Sequence, residues 1–264
     1  MSDEDIEDSR APLITHLIEL RQRLVWSLVG LAVAMTLCFF VAGEIFNILL
    51  VPYERASGEG QEVKLIFTAP QEFFFTKLKI ALFGGLCLSF PVIASQLYKF
   101  VAPGLYKTER SAFLPYIIAT PLLFILGGCV VYFIVMPLAM QFFIGTQQMP
   151  SDGGATIELL PRVSEYLGLI MTLIFAFGFC FQLPVVLTLM ARVGLASSEG
   201  LKEKRKYAVV GVFAVAALLT PPDLISQIGL AVPTLLLYEV AIVSVRMVEK
   251  KQDEDRAARE GDDE

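Results

Sequence analysis

Glu19 and Arg23 lie four residues apart in HLIELRQRL, residues 16–24, directly ahead of the first long apolar run. On a helix this spacing puts a carboxylate and a guanidinium on one face, in the order that favours an ion pair. With His16 and Arg21 beside them, these residues have two readings. They anchor a helix end at the edge of a bilayer, or they face a charged partner. A second polar cluster, FVAPGLYKTER at 100–110, opens with Phe100 and sets Glu109 between Lys107 and Arg110 after a Pro103-Gly104 turn. By itself it reads as a neutralised loop charge. In the third, LLTPPDLISQ at 218–227, Leu218 is followed by Pro221 and Pro222, which stop a helix. Asp223 then stands where a carboxylate caps the free N–H groups of the next helix, with Gln227 one turn further in. Gln182 and Glu239 are polar residues inside apolar runs, where such groups face protein or water and not lipid. Gln182 is expected to hydrogen-bond across the bundle. Glu239 is expected to do the same, or to point towards Arg246.

The elements that must position these residues are membrane helices. The chain is 55% hydrophobic with a mean hydropathy of +0.65, and its charges are clustered. Residues 24–42, 80–98, 111–151, 166–191, 207–222 and 224–238 carry no Asp, Glu, Lys or Arg. Runs of about 20 apolar residues are what a hydrocarbon core of roughly 30 Å demands of a helix. The fold expected is an all-α membrane protein of six spans, near 22–43, 76–98, 112–138, 163–190, 207–221 and 224–245. The fifth is short, about 22 Å at 1.5 Å per residue. It must thin the local membrane or form a re-entrant hairpin packed on other helices. Pro91, Pro115, Pro121, Pro137, Pro184 and Pro233 are expected to kink their helices. The segment 44–75, with Pro52 and a polar turn, is expected to form a short helix and a cap.

The division expected is a segment 1–21 that starts an amphipathic helix, a membrane domain 22–245, and a charged, disordered tail 246–264. The acidic start MSDEDIEDSR lacks the basic region of a cleavable leader, so none is expected. Lys and Arg favour one side by about three to one when the N-terminus is placed in the cytoplasm, so both termini are expected there, in the inner membrane. The four cysteines fall in separate apolar runs without metal or disulfide spacing, and read as small buried apolar groups. The chain has no GxxxxGK[ST] phosphate loop and one histidine, at the membrane edge. ATP-driven pumping and intramembrane hydrolysis are therefore disfavoured, and neither enzyme activity, cofactor nor nucleic-acid partner is expected.

HLIELRQRL, FVAPGLYKTER, FQLP at 181–184 and LLTPPDLISQ come in an order and spacing that resembles TatC, the multispanning receptor subunit of the twin-arginine protein translocase. The resemblance covers residues 12–246. It implies a concave, curved wall of six helices with a short final pair, and both termini in the cytoplasm. It also implies recognition of twin-arginine signal peptides on folded precursors, partnership with the single-span subunits TatA and TatB, self-association, and export driven by the proton-motive force. Glu19 and Glu109 become the acceptors of the paired arginines, with Arg21 and Phe100 shaping the site. Carboxylates suit this task because they take guanidinium by charge-assisted, bidentate bonds that lysine does not reproduce. Pro52, Gln182, Leu218, Pro221, Asp223 and Gln227 become structural or partner-contacting positions, and the fifth span a docking face for a partner helix. One departure is Gln182, where relatives often carry a glutamate; an amide does not titrate. Two rivals are a secondary transporter, with binding residues near the midplane, and a scaffold in which Glu19 and Glu109 can be neutralised without loss.

Overall fold

The computed structural model describes residues 3–58, 64–101, 114–147, 158–220 and 224–262, with side chains at 17–58, 64–100, 115–147, 158–220, 224 and 226–254. These residues are helical almost throughout: α1 (Asp3–Phe40), α2 (Ala42–Ser57), α3 (Glu72–Val101), α4 (Leu114–Val130), α5 (Met136–Gly145), α6 (Val163–Cys180), α7 (Leu183–Arg192), α8 (Ser198–Glu203), α9 (Arg205–Leu219) and α10 (Leu224–Asp262). Among the described residues, five segments are long and apolar enough to cross a bilayer: Leu17–Phe40, Glu72–Phe100, Pro115–Gly145, Val163–Arg192 and Ser226–Glu254. The remaining expected span, the fifth in chain order, is α9, whose 15 residues leave it short of that length.

The expected proline kinks take two forms. Pro137 has no N–H to give the carbonyl four residues back, and the helix ahead of it loosens into a π turn, Val131–Val135. There the Met136 N–H reaches the Val131 carbonyl, five residues back. Ahead of Pro184 the helix breaks at Phe181 and Gln182, and the Gln182 N–H bonds the Phe179 carbonyl at 2.9 Å. Pro184 then falls in the first turn of α7, where a missing N–H costs nothing. Pro91, Pro121 and Pro233 lie inside helices that run on without interruption.

The chain divides into two compact units, Met1–Ile45 with Lys77–Pro121, and Phe46–Thr76 with Leu122–Glu264. In the first, α1 and α3 approach so closely that a Cβ on Gly85 would lie 2.8 Å from the Met35 Cα. One methyl group there drives the helices apart. Tyr98 and Thr120 join α3 to α4 by a hydroxyl–hydroxyl bond of 2.5 Å. In the second unit, Leu167, Ile170, Leu173 and Phe177 of α6 are fully buried with Met136 and Leu230. A Cβ on Gly127 of α4 would meet the Phe177 carbonyl at 2.8 Å.

The tail expected to be disordered is instead the last part of α10, a 39-residue helix of roughly 58 Å. Its i,i+4 pair Lys250–Glu254 (3.7 Å) supports the helix locally. Two bonds also tie the tail to the chain: Glu249 accepts from the Ser198 N–H at 2.8 Å, and Gln252 donates to the Arg192 carbonyl at 3.1 Å. These fixings are long-range, so composition alone does not reveal them.

Gly85→Ala should lower stability in detergent by about 1–3 kcal/mol through overpacking. Gly168→Ala, where an added Cβ meets nothing within 4 Å, should leave it unchanged or slightly raised. Thermal melts followed by circular dichroism compare the two; equal melting temperatures would refute the close crossing of α1 and α3.

Candidate functional site

In the first unit, the first turns of the α1 span and the end of α3 enclose an open groove of about 580 Å³, with Glu19, Arg23 and Trp26 on one wall and Gln96 and Lys99 on the other. Glu19, Gln22, Arg23 and Trp26 share a face because they fall at helical spacing. The Arg23 guanidinium donates twice to one Glu19 oxygen, from Nη2 at 2.5 Å and Nε at 3.2 Å. Both side chains are partly shielded, 31% exposed for Glu19 and 25% for Arg23. The described lining therefore holds one carboxylate against two cations. A cationic ligand that uses the same Glu19 oxygen must take it from Arg23.

Of the residues expected beside Glu19, Arg21 lies about 200° away around α1, exposed, and does not line the groove. Phe100 is half-buried at the end of α3, next to Lys99. Glu109, Pro221 and Asp223 lie outside the described residues. Gln96, Lys99 and Trp26 had not been singled out from the sequence. Their signal was there: Gln96 and Lys99 are one turn apart where the second apolar run turns polar, and Trp26 is the single tryptophan.

In the second unit, Pro52 sits fully buried inside α2. It deprives the Ile48 carbonyl of its helical donor, and the Tyr132 hydroxyl donates to that carbonyl instead, at 2.8 Å. The Tyr166 hydroxyl donates to the next carbonyl, of Leu49, at 2.7 Å, and its ring lies against Tyr53. Burial pushes the Tyr53 phenol above its ordinary value. Nearby, the Ile66 N–H bonds the Pro161 carbonyl and the Val163 N–H bonds the Ile66 carbonyl, at 3.2 and 2.9 Å. The Glu72 carboxylate closes this join, accepting from the Thr68 N–H at 2.9 Å and the Ser164 hydroxyl at 2.6 Å.

Gln182 is buried at the break before α7, and its amide donates to the Gly178 carbonyl at 3.2 Å, one turn back. Glu239 pairs with Arg205 at the start of α9, at 2.6 Å, and not with Arg246. The Tyr238 hydroxyl donates to the Leu201 carbonyl at 2.7 Å, so α10 holds the α8–α9 junction from two adjacent positions. Leu218 is 84% exposed at the end of α9, and Gln227 is half-buried in the first turn of α10.

Fold and site together define a multi-pass helical membrane protein with a charged groove at one helix end. Among the described residues no group of His, Cys, Asp and Glu could hold a metal ion. The family model of the Sec-independent protein translocase protein, TatC, matches residues 15–233. The TatC protein of Magnetococcus marinus is 46% identical over 256 residues, 97% of this chain and 91% of that one. The Escherichia coli K12 TatC protein is 38% identical, covering 90% and 88%. A crystal structure described as the twin arginine translocase receptor TatC superposes with a TM-score of 0.75 at 35% identity, over 89% of this chain and 99% of that one. The chain belongs to the TatC family. It is a core subunit of the Tat translocase, a protein-transport component and not an enzyme.

If Tyr132 replaces the donor that Pro52 removes, Tyr132→Phe should cost about 1 kcal/mol. The cost should shrink when Pro52→Ala restores a backbone N–H. A double-mutant cycle on thermal stability measures this coupling, and simple additivity would show that the two residues act independently.

Proposed function

We propose that this chain is the receptor that reads paired arginines on the signal peptides of folded precursor proteins. With TatA- and TatB-type single-span partners, it moves those precursors across the cytoplasmic membrane on the proton-motive force. The observation that carries the reading is the Glu19 carboxylate. It already holds a guanidinium by two N–H groups, in a groove open to a ligand. The similar crystal structure's description as a twin arginine translocase receptor supports it. Glu19 and Glu109 accept the two arginines. Phe100 shapes the end of the groove beside Lys99. Arg21, on the far side of α1, acts through the position of that helix and not by touching the ligand.

The basic residues favour both termini in the cytoplasm, in the inner membrane. That requires an even number of crossings, which the five long spans reach only with α9 as a sixth. Among the residues of α9, only Ala216 is buried, while Val210 and Leu218 are 69% and 84% exposed. This short, largely uncovered apolar helix is the surface on which a partner's single transmembrane helix docks. Pro52, Gln182 and Gln227 serve the frame behind it, as do Pro221 and Asp223 through the turn between α9 and α10.

The test is binding of a tryptophan-free signal peptide to the purified protein in nanodiscs, read through Trp26, the single tryptophan, which lines the groove. An Arg-Arg peptide should bind more tightly than its Lys-Lys counterpart. Glu19→Gln and Glu109→Gln should each weaken the Arg-Arg peptide by about tenfold or more, the scale of one charge-assisted hydrogen bond. Binding blind to arginine versus lysine, or untouched by both substitutions, would overturn the site.

A further inference from the structure

We infer that Arg23 is a resident competitor for the Glu19 carboxylate: a guanidinium built into the receptor occupies one oxygen of the acceptor in the empty state, and a cationic ligand that takes that oxygen must displace it. This rests on the receptor reading of the groove. Arg23 places two N–H groups on one Glu19 oxygen, at 2.5 and 3.2 Å, an oxygen that a substrate arginine would also use. It does so from one turn away on the same continuous helix, so the competitor cannot diffuse off and little chain has to be ordered to form the pair. The pair lines the groove itself.

The consequence is specific. Holding Glu19 in the empty state is a property of the receptor and not of the ligand. It lowers the apparent affinity of every ligand by the same factor, the fraction of receptors in which Glu19 is open. The ratio between an arginine and a lysine ligand stays where the bound-state geometry puts it. Arg23 therefore sets the threshold that a signal must clear, while Glu19 and Glu109 read which signal it is. With both partners about one-quarter to one-third exposed, the pair is of the modest, solvent-screened kind, and the factor is about two- to fivefold.

The experiment titrates Arg-Arg and Lys-Lys peptides into the full chain in nanodiscs, comparing wild type, Arg23→Gln and Lys99→Gln. Arg23→Gln should tighten both peptides by the same factor, about two- to fivefold, and leave their ratio unchanged. Lys99→Gln removes a charge from the opposite wall without removing the competitor, and should tighten them less. Equal tightening by the two variants would reduce the effect to the general positive field of the groove, and the competitor would be rejected. Weaker or unchanged binding by Arg23→Gln, at an unchanged melting temperature, would also reject it. If that variant instead melts lower, Arg23→Met decides: a side chain that keeps the aliphatic bulk but carries no cation should still bind both peptides more tightly than wild type, and no gain rejects the competitor. Failure of the receptor reading shows separately, as a wild type that does not distinguish Arg-Arg from Lys-Lys.

Discussion

Inside hydrocarbon a backbone N–H or C=O has no water to bond, so each must find its partner within the chain. The described residues meet this constraint with helices, and the prolines show how. Every proline removes one donor and leaves one carbonyl to be placed. At Pro137 the helix lengthens its bond pattern into the π turn of Val131–Val135. At Pro184 it breaks and restarts, so that the proline falls where no donor is needed. At Pro52 a side chain from elsewhere in the sequence, Tyr132, supplies the bond.

The same scarcity of water sends charge to the helix ends. There the charges are used as ties. Glu72 joins the start of α3 to the start of α6 through Ser164. Arg205 and Glu239 join α9 to α10. Glu249 reaches from the last turns of α10 to the first N–H of α8. A long terminal helix held in this way fixes the end of α9 nearest Arg205. The rest of α9, with its apolar side chains uncovered, is left as a surface and not as part of the core.

How far the sequence could be read follows from the range of the forces involved. Helix positions were legible because apolar runs and their charged boundaries are local signals; even the odd length of α9 could be counted. The Glu19–Arg23 pair was legible for the same reason, since i,i+4 spacing is local geometry. What escaped was long-range. The sequence offered Glu239 a neighbour on its own helix, Arg246, and only the approach of α9 to α10 brings Arg205 to it instead. The helical tail escaped because its composition is that of a solvated segment, while its order comes partly from Ser198 and Arg192, 51 and 60 positions away. Gln96 and Lys99 became site residues only when α3 was laid beside α1.

The partial shielding of Glu19 reconciles two demands on a recognition carboxylate. Coulomb attraction at 4 Å is worth about 1 kcal/mol in bulk water and about 4 kcal/mol at an effective dielectric near 20. A fully solvated Glu19 would lie near the lower figure and bind any cation weakly, with salt erasing the difference between arginine and lysine. A fully buried one would be so costly to leave unpaired that Arg23 could not be exchanged for a ligand. Exposures of 31% and 25% put the pair between these limits. Ending an apolar helix at a bilayer edge places side chains in that intermediate medium without further design. The residues that anchor α1 and the residues that could read a ligand are therefore the same ones, and the two readings of HLIELRQRL do not exclude each other.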